Sequence, residues 1–363
     1  MHLERAWQEP AAAAAAAAAP TEQESVVWPA RNTDSIYSLA LLSNKLLAVG
    51  HDSGFITIHD VENGSVLREF KGHEGLVHTL VVMPDAGFVA SASYYDKTVR
   101  IWNVSSGTCV AELEHSHALR KDSVVVLTDG TLATTDGTSG IVKFWDWKTA
   151  TIMKRLFHED YVFCVCPLTS GGVAVGHGYN GLMSLWSRDG VQTGTLGGQE
   201  GVTVRSLIQL PDGRLAAGCS GYRIRLWNIA TAVVPPEGKE GVCANPPLTT
   251  RILPARSAWL TGAGFDQDKA SLPIMECDSV LVSRAEKSDT LVSVLDTPFM
   301  MSVGVGRVDA WDTERYAERH EADGSLYLYD TVHAIAVLDG GAKIIVGGYD
   351  GRVRIMTLNI HRK

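Results

Sequence analysis

The chain has 363 residues, of which 45% are hydrophobic and 20% charged, with 35 glycines and a formal net charge of −9. This is the composition of an ordinary packed protein with a surplus of turn formers. The negative balance argues against a non-specific grip on nucleic acid, which needs a field of Lys and Arg facing phosphate, and leaves room only for a local basic patch.

Residues 1–24 hold a run of nine alanines, Ala11 to Ala19, between Pro10 and Pro20. Nine residues is too short for an isolated helix in water and too short and weakly apolar for a membrane span. A disordered low-complexity leader is expected there, and no other stretch resembles a membrane span. From Ser25 onward the chain reads as strands. SVVW (Ser25 to Trp28) precedes a strand at Ser35 to Leu42. The next unit is the clearest: Leu76 to Val82, Gly87 to Ser93, Thr98 to Asn103 and Thr108 to Leu113. Pro84-Asp85, Asp96-Lys97 and Ser106-Gly107 mark its turns.

The phrase FVASASYYDKTVRIWN (Phe88 to Asn103) returns as GGVAVGHGYNGLMSLWS (Gly171 to Ser187) and RLAAGCSGYRIRLWN (Arg214 to Asn228). With the bulky third-strand residue as ruler, the units fall at His59, Trp102, Trp145, Trp186, Trp227, Trp311 and Met356. The steps are 43, 43, 41, 41, 84 and 45 residues. A repeat of about 40 residues made only of strands cannot bury both faces alone, so neighbouring sheets must stack. Radial stacking around a channel covers both faces and leaves short edges.

The doubled step leaves room for an eighth unit. Residues 231–289, with Pro235-Pro236 and Pro246-Pro247, read instead as one long insert, although DSVLVS (Asp278 to Ser283) has strand character. A sixth unit then spans Thr290 to Leu295, Phe299 to Val303, Arg307 to Trp311 and Ser325 to Tyr329. A seventh has three strands, Ala334 to Leu338, Lys343 to Gly347 and Val353 to Thr357, and Ser25 to Trp28 is expected to supply its fourth. The expected fold is all-β: a seven-bladed β-propeller of four-stranded antiparallel blades over residues 25–358, with a long insert before blade six and a tail at 359–363.

Gly72-His73 opening a unit, Asp96 in its tight turn and Trp102-Asn103 ending its third strand resemble the WD40-repeat β-propeller family. In that family the His, a Ser or Thr, the turn Asp and the Trp form a structural hydrogen-bond chain. The resemblance implies one here through His73, Ser91 or Ser93, Asp96 and Trp102. The pattern decays elsewhere: His59 and Met356 stand at the Trp position, and Asn180 replaces the turn Asp. The resemblance says little about activity, because propellers host unrelated functions.

No sign of catalysis emerges. His73 and Asp96 sit at repeat positions, and there is no nucleophile elbow or HExxH. Gly238-Lys239 lacks the hydroxyl that a phosphate loop requires. Cys109, Cys164, Cys166, Cys219, Cys243 and Cys277 form no paired CxxC set. They read as free thiols of a reducing compartment, cytoplasmic or nuclear. No enzyme, cofactor or metal is expected.

The loops between second and third strands, and those entering the first, converge on one rim. They carry His51, Tyr94, Tyr95, His177, Tyr179, Tyr222 and Tyr349, with Arg120, Lys121, Glu159, Asp160 and Tyr161 on the incoming loops. Tyrosines among mixed charges are typical of an interface centre. The expected function is a non-catalytic interaction scaffold, a monomeric propeller binding proteins or peptides inside a hetero-complex. The alternatives are a reader of short or modified peptides such as histone tails, and an RNA-associated complex subunit.

Overall fold

The computed structural model describes residues 26–29, 34–43, 45–85, 87–197, 201–220, 223–229, 274–275, 279–282, 290–293, 299–304, 307–312, 326–327, 332–338 and 343–357. After β1 (Val26–Pro29), the first sheet contains β2 (Ile36–Ser43), β3 (Leu46–His51), β4 (Phe55–Asp60) and β5 (Val66–Lys71). The second has β6 (Val77–Val82), β7 (Phe88–Ser93), β8 (Thr98–Asn103) and β9 (Cys109–Glu114). The third has β10 (Val124–Val126), β11 (Leu132–Thr135), β12 (Ile141–Asp146) and β13 (Thr151–Phe157). The fourth begins with β14 (Val162–Pro167), β15 (Val173–His177), β16 (Met183–Trp186) and β17 (Gln192–Leu196).

In the fifth sheet, β18 (Val204–Gln209), β19 (Leu215–Cys219) and β20 (Arg223–Trp227) precede β21 (Ile274–Met275) and β22 (Ser279–Val282) in the chain. The sixth holds β23 (Thr290–Ser293), β24 (Phe299–Gly304), β25 (Arg307–Asp312) and β26 (Leu326–Tyr327). The last is β27 (Val332–Leu338), β28 (Lys343–Gly348) and β29 (Arg352–Thr357), completed by β1. The protein is an all-β β-propeller of four-stranded antiparallel blades. Its first strands neighbour one another in the order β2, β6, β10, β14, β18, β23 and β27, and β27 meets β2 again.

Two expectations need correcting. Six sheets have four strands each, not seven, because the sheet begun by β14 gains β21, which pairs parallel to β17. The insert also does not simply precede the sixth sheet. Its β22 pairs antiparallel with β20 and forms the fourth strand of the fifth, so the long connection runs between third and fourth strands of one blade. Alternation identifies DSVLVS as a strand, but any unpaired edge accepts an alternating strand, and β20 offered one. The rest of 231–289, the 1–24 leader and the 359–363 tail lie outside the described residues.

Trp102, Trp145 and Trp227, the bulky residues near the ends of three third strands, pack against the preceding sheet. Trp102 lies 5.5 Å from Phe70 of the first sheet, and shares a buried cluster with Ile56, Ile58 and Val89. Trp145 joins Ala90, Ile101 and Leu113 of the second sheet, and Trp227 joins Cys164, Leu185 and Leu196 of the fourth. Burying roughly 200 Å² of indole at about 25 cal/mol per Å² is worth on the order of 5 kcal/mol per wedge before entropy is counted. The acid or amide that follows caps the next turn. Asp60 Oδ1 accepts from the Glu62 amide at 2.7 Å, Asn103 from Ser105 at 3.0 Å and Asp146 from Lys148 at 3.0 Å.

Where the first and last sheets meet, Trp28 of β1 stacks on His59, with centroids 6.4 Å apart and planes within 7°. Val49, Ile345 and Val353 complete that cluster. Trp28 thus holds the closing strand in place. Trp28→Ala should destabilise the protein by about 3–5 kcal/mol in urea unfolding. A loss below about 1 kcal/mol would show that β1 is not needed for closure.

Candidate functional site

The second sheet carries a continuous buried chain. Asp96 Oδ2 accepts from His73 Nδ1 at 2.7 Å, and His73 Nε2 meets Ser91 Oγ at 2.6 Å. Trp102 Nε1 donates to the same Oγ at 2.7 Å. With Nδ1–H directed at the carboxylate, Nε2 is the acceptor, so Ser91 donates its proton to the ring while receiving the indole's. Asp96 also accepts from the amide and hydroxyl of Thr98 and from the Glu74 amide. Burial would raise its pKa, but these bonds and the His73 imidazole outweigh that and hold the carboxyl well below its ordinary range. Ser93 bonds instead to the Gly75 carbonyl at 3.2 Å.

Other sheets rebuild this chain with different residues. In the third, Thr134 Oγ1 takes the Trp145 indole at 2.8 Å and meets His115 Nε2 at 2.7 Å, while the buried Asp136 pairs with Lys143 at 2.8 Å. In the fourth, Ser184 receives Trp186 Nε1 at 2.9 Å and meets His177 Nε2 at 3.1 Å. In the first, Thr57 bridges His51 Nε2 and His59 Nε2, both at 2.8 Å. His51 and His177 are therefore buried, which corrects their expected place among the presented residues. Both rings turn inward to meet hydroxyls, His51 to Thr57 and His177 to Ser184.

The tyrosines do reach the surface. Tyr95 is 66% exposed, Tyr179 60% and Tyr349 50%. Tyr94 and Tyr161 are also exposed. Tyr94 and Tyr95 form an edge-on pair at 5.5 Å, and Tyr161 and Tyr179 another at 5.3 Å. Tyr95 lies so close to Gly75 that a Cβ there would stand 2.7 Å from its ring. Tyr349 packs 4.5 Å from His333, which stacks on Tyr37 at 4.5 Å. Burial, then the Tyr349 hydroxyl and the charge of Asp52, push the Tyr37 phenol above its ordinary range. Tyr222 lies outside the described residues.

Of these aromatics Tyr37, Tyr94 and His333 line a funnel of about 240 Å³, and most of its lining escaped the sequence reading. In five first strands the pairing register slips by one residue, and the skipped residue lines the funnel: Tyr37, His78, Phe163, Arg205 and His333. A bulge re-aims a side chain out of the alternating pattern. The signal lies in the aligned phrases IYS, VHT, VFC, VRS and VHA, in which a variable residue follows a buried Val or Ile and precedes a small one. The third sheet contributes Arg120 and Lys121 from its incoming loop. Arg120 lies over the Phe163 ring at 4.2 Å, and Lys121 donates to the His333 carbonyl.

Among the described residues no group of His, Cys, Asp or Glu could hold a metal ion, and no helix is long and apolar enough to cross a membrane. Cys109 is an exposed free thiol, whereas Cys164, Cys166 and Cys219 are buried ones. Burial pushes the Cys166 thiol up to about 12, so it is unsuited to act as a nucleophile.

A family model described as "WD domain, G-beta repeat" matches residues 64–103, the segment that holds His73, Ser91, Asp96 and Trp102. Over that segment the chain is similar to the WD40-repeat family. It is 27% identical over 158 residues to "U3 small nucleolar RNA-associated protein 15 homolog" of Xenopus tropicalis, covering 43% of this chain and 30% of that one. It is 27% identical over 125 residues to "Transducin beta-like protein 3" of Bos taurus, covering 34% and 16%. It is 24% identical over 178 residues to "U3 small nucleolar RNA-associated protein 4" of Schizosaccharomyces pombe, covering 44% and 24%. The matched region therefore spans less than a third of the length of these curated relatives.

Two predictions follow from the buried chains. In the fifth sheet Ala217 faces Arg225 as Ser91 faces Arg100, and Trp227 Nε1 is buried without a hydrogen-bond partner among the described residues. Ala217→Ser should supply the acceptor and raise stability by about 1 kcal/mol in urea unfolding; a loss would mean the indole is satisfied in another way. The second concerns acid. Burial pushes His78, His115, His158 and His177 each down to about 4. Their folded pKa values lie below the unfolded value of about 6.5, so the unfolded chain binds more protons in that window. Urea midpoints should be flat above pH 6.5 and fall between about 6.5 and 4, at up to about 1.4 kcal/mol per pH unit for each histidine. Midpoints that rise over this window would contradict the burial of neutral imidazoles.

Proposed function

We propose that this protein is a non-catalytic interaction scaffold of a multiprotein complex, binding its partners through the tyrosine face around the funnel. One observation carries this reading: two exposed tyrosine pairs, Tyr94 with Tyr95 and Tyr161 with Tyr179, come from loops of the second and fourth sheets, and Tyr94 also lines the cavity. Tyrosines give large, rigid contact area with a polar handle, the kind of surface that dominates protein interfaces. The seven sheets are taken as blades of one closed ring over residues 25–358.

A second reading, a subunit of an RNA-associated nuclear assembly, is favoured by the names of the relatives from Xenopus tropicalis and Schizosaccharomyces pombe. The two are compatible. With a net charge of −9 the chain is suited to join such an assembly through protein contacts, with RNA held by other subunits.

Tyr95→Ala combined with Tyr179→Ala removes two rings that are mostly in solvent, so stability should change by less than about 1 kcal/mol. Affinity capture followed by mass spectrometry should then show the wild-type partners depleted at least fivefold. An unchanged partner set would remove the tyrosine face as the binding surface.

A further inference from the structure

We infer that the outer edge of the fourth sheet is a strand-addition site, where an extended, uncharged segment of a partner protein runs parallel to β17 in place of the chain's own β21. This goes beyond the tyrosine-face reading and concerns a different surface: the turns that carry Tyr179 and Val191 lie at opposite ends of β16, and β17 follows the second of them. Edge strands invite foreign pairing, and charge normally guards them. β5 carries Arg68, Glu69 and Lys71, β9 carries Glu112 and Glu114, and β13 carries Lys154 and Arg155. β17 reads Gln-Thr-Gly-Thr-Leu, with no charge along its five residues. Gly194, at its middle, has no side chain to hold a second backbone off.

The edge already accepts a strand, and weakly. Ile274 and Met275 pair parallel to Thr195 and Leu196, and no other described strand pairs with Gln192, Thr193 or Gly194 on that side. Parallel pairs are slightly less stable per residue than antiparallel ones, and this one is two residues long. The residue before Ile274 in the sequence is Pro273, and proline brings no N–H to a ladder. Three residues separate β21 from β22, which is anchored to β20 by four pairs. A lifted β21 therefore stays near its site, and an incoming segment competes against a tethered rival.

Backbone hydrogen bonds supply the affinity in such additions, so the partner is chosen by its extended form more than by its side chains. A segment of five residues without proline covers the whole of β17 where the resident covers two. It is uncharged because β17 offers no charge to pair with. Val191, exposed at the start of β17, gives its leading residue an apolar neighbour. A second copy meeting this edge through a twofold axis would set β17 antiparallel to itself, whereas the edge as built takes a parallel strand.

The probe is a fluorescein-labelled peptide of residues 270–275 with blocked ends and Pro273→Val, read by anisotropy. Against protein carrying Ile274→Pro with Met275→Gly it should bind at least tenfold tighter than against wild type. It should also bind that variant at least tenfold tighter than the same peptide with its proline kept. Bound peptide should slow amide exchange along β17 and not along β5, β9 or β13; measured on wild-type protein at saturating peptide, this arm stands if the variant does not fold. Equal binding to both proteins, no binding to either, or protection at another outer strand would overturn the inference. A variant that dimerises without taking up peptide would also overturn it and give the edge to a second copy. Tyr95→Ala with Tyr179→Ala should leave the peptide's affinity unchanged, so loss of the tyrosine face and loss of this edge are read separately.

Discussion

A single hydroxyl decides much of this architecture. Ser91 sits where an imidazole and an indole both need a partner, deep between two stacked sheets, and one oxygen serves both. The wedge that joins neighbouring blades is therefore also polar, and its indole N–H must be satisfied where water does not reach. The first, third and fourth sheets solve the problem with Thr57, Thr134 and Ser184. Ser184 lies on a third strand where Ser91 and Thr134 lie on second strands, so the geometry of the bridge is kept more faithfully than the position of its donor. The carboxylate is more replaceable still. Asp96 orients an imidazole, whereas Asp136 is taken by Lys143 and His115 turns its other nitrogen to the Leu113 carbonyl.

Much of this could be read from the residues alone. Period, turn chemistry and the Gly72-His73, Asp96 and Trp102-Asn103 pattern placed the strands of the second, sixth and last sheets, the ones read in detail, to within a residue or two. The pairing of SVVW with the last strand followed from an unpaired edge, and β1 does pair with β29. The limits were also physical. A short alternating segment does not specify which edge it will join, so β22 was recognised as a strand but not as the partner of β20. The widening of the fourth sheet by β21 rests on two residues, too few for any periodic signal.

The binding face was half legible. Turn position gave the exposed tyrosines, because a residue in a short connection has few ways to be buried. The same rule failed for His51 and His177, which lie at strand ends and turn inward to meet hydroxyls. The funnel was missed because a bulge breaks the alternation by which inward and outward residues are told apart. Phe163 and Arg205 would be assigned by simple alternation without regard to the slip that aims them at the axis. Aligning first strands with one another, instead of reading each by itself, exposes the common skipped position.

The closing sheet has a consequence for how the molecule comes into being. Val26–Pro29 is made long before Arg352–Thr357, yet each supplies the only antiparallel neighbour the other has on that side among the described strands. During synthesis the early segment must wait with its backbone groups unmatched while the intervening sheets stack in turn. Such a bare ladder invites pairing with a stranger, and joining ends so far apart in sequence is slow. Until the last strand is made, the early one keeps an edge open to pairing with another chain, a hazard that ring completion removes.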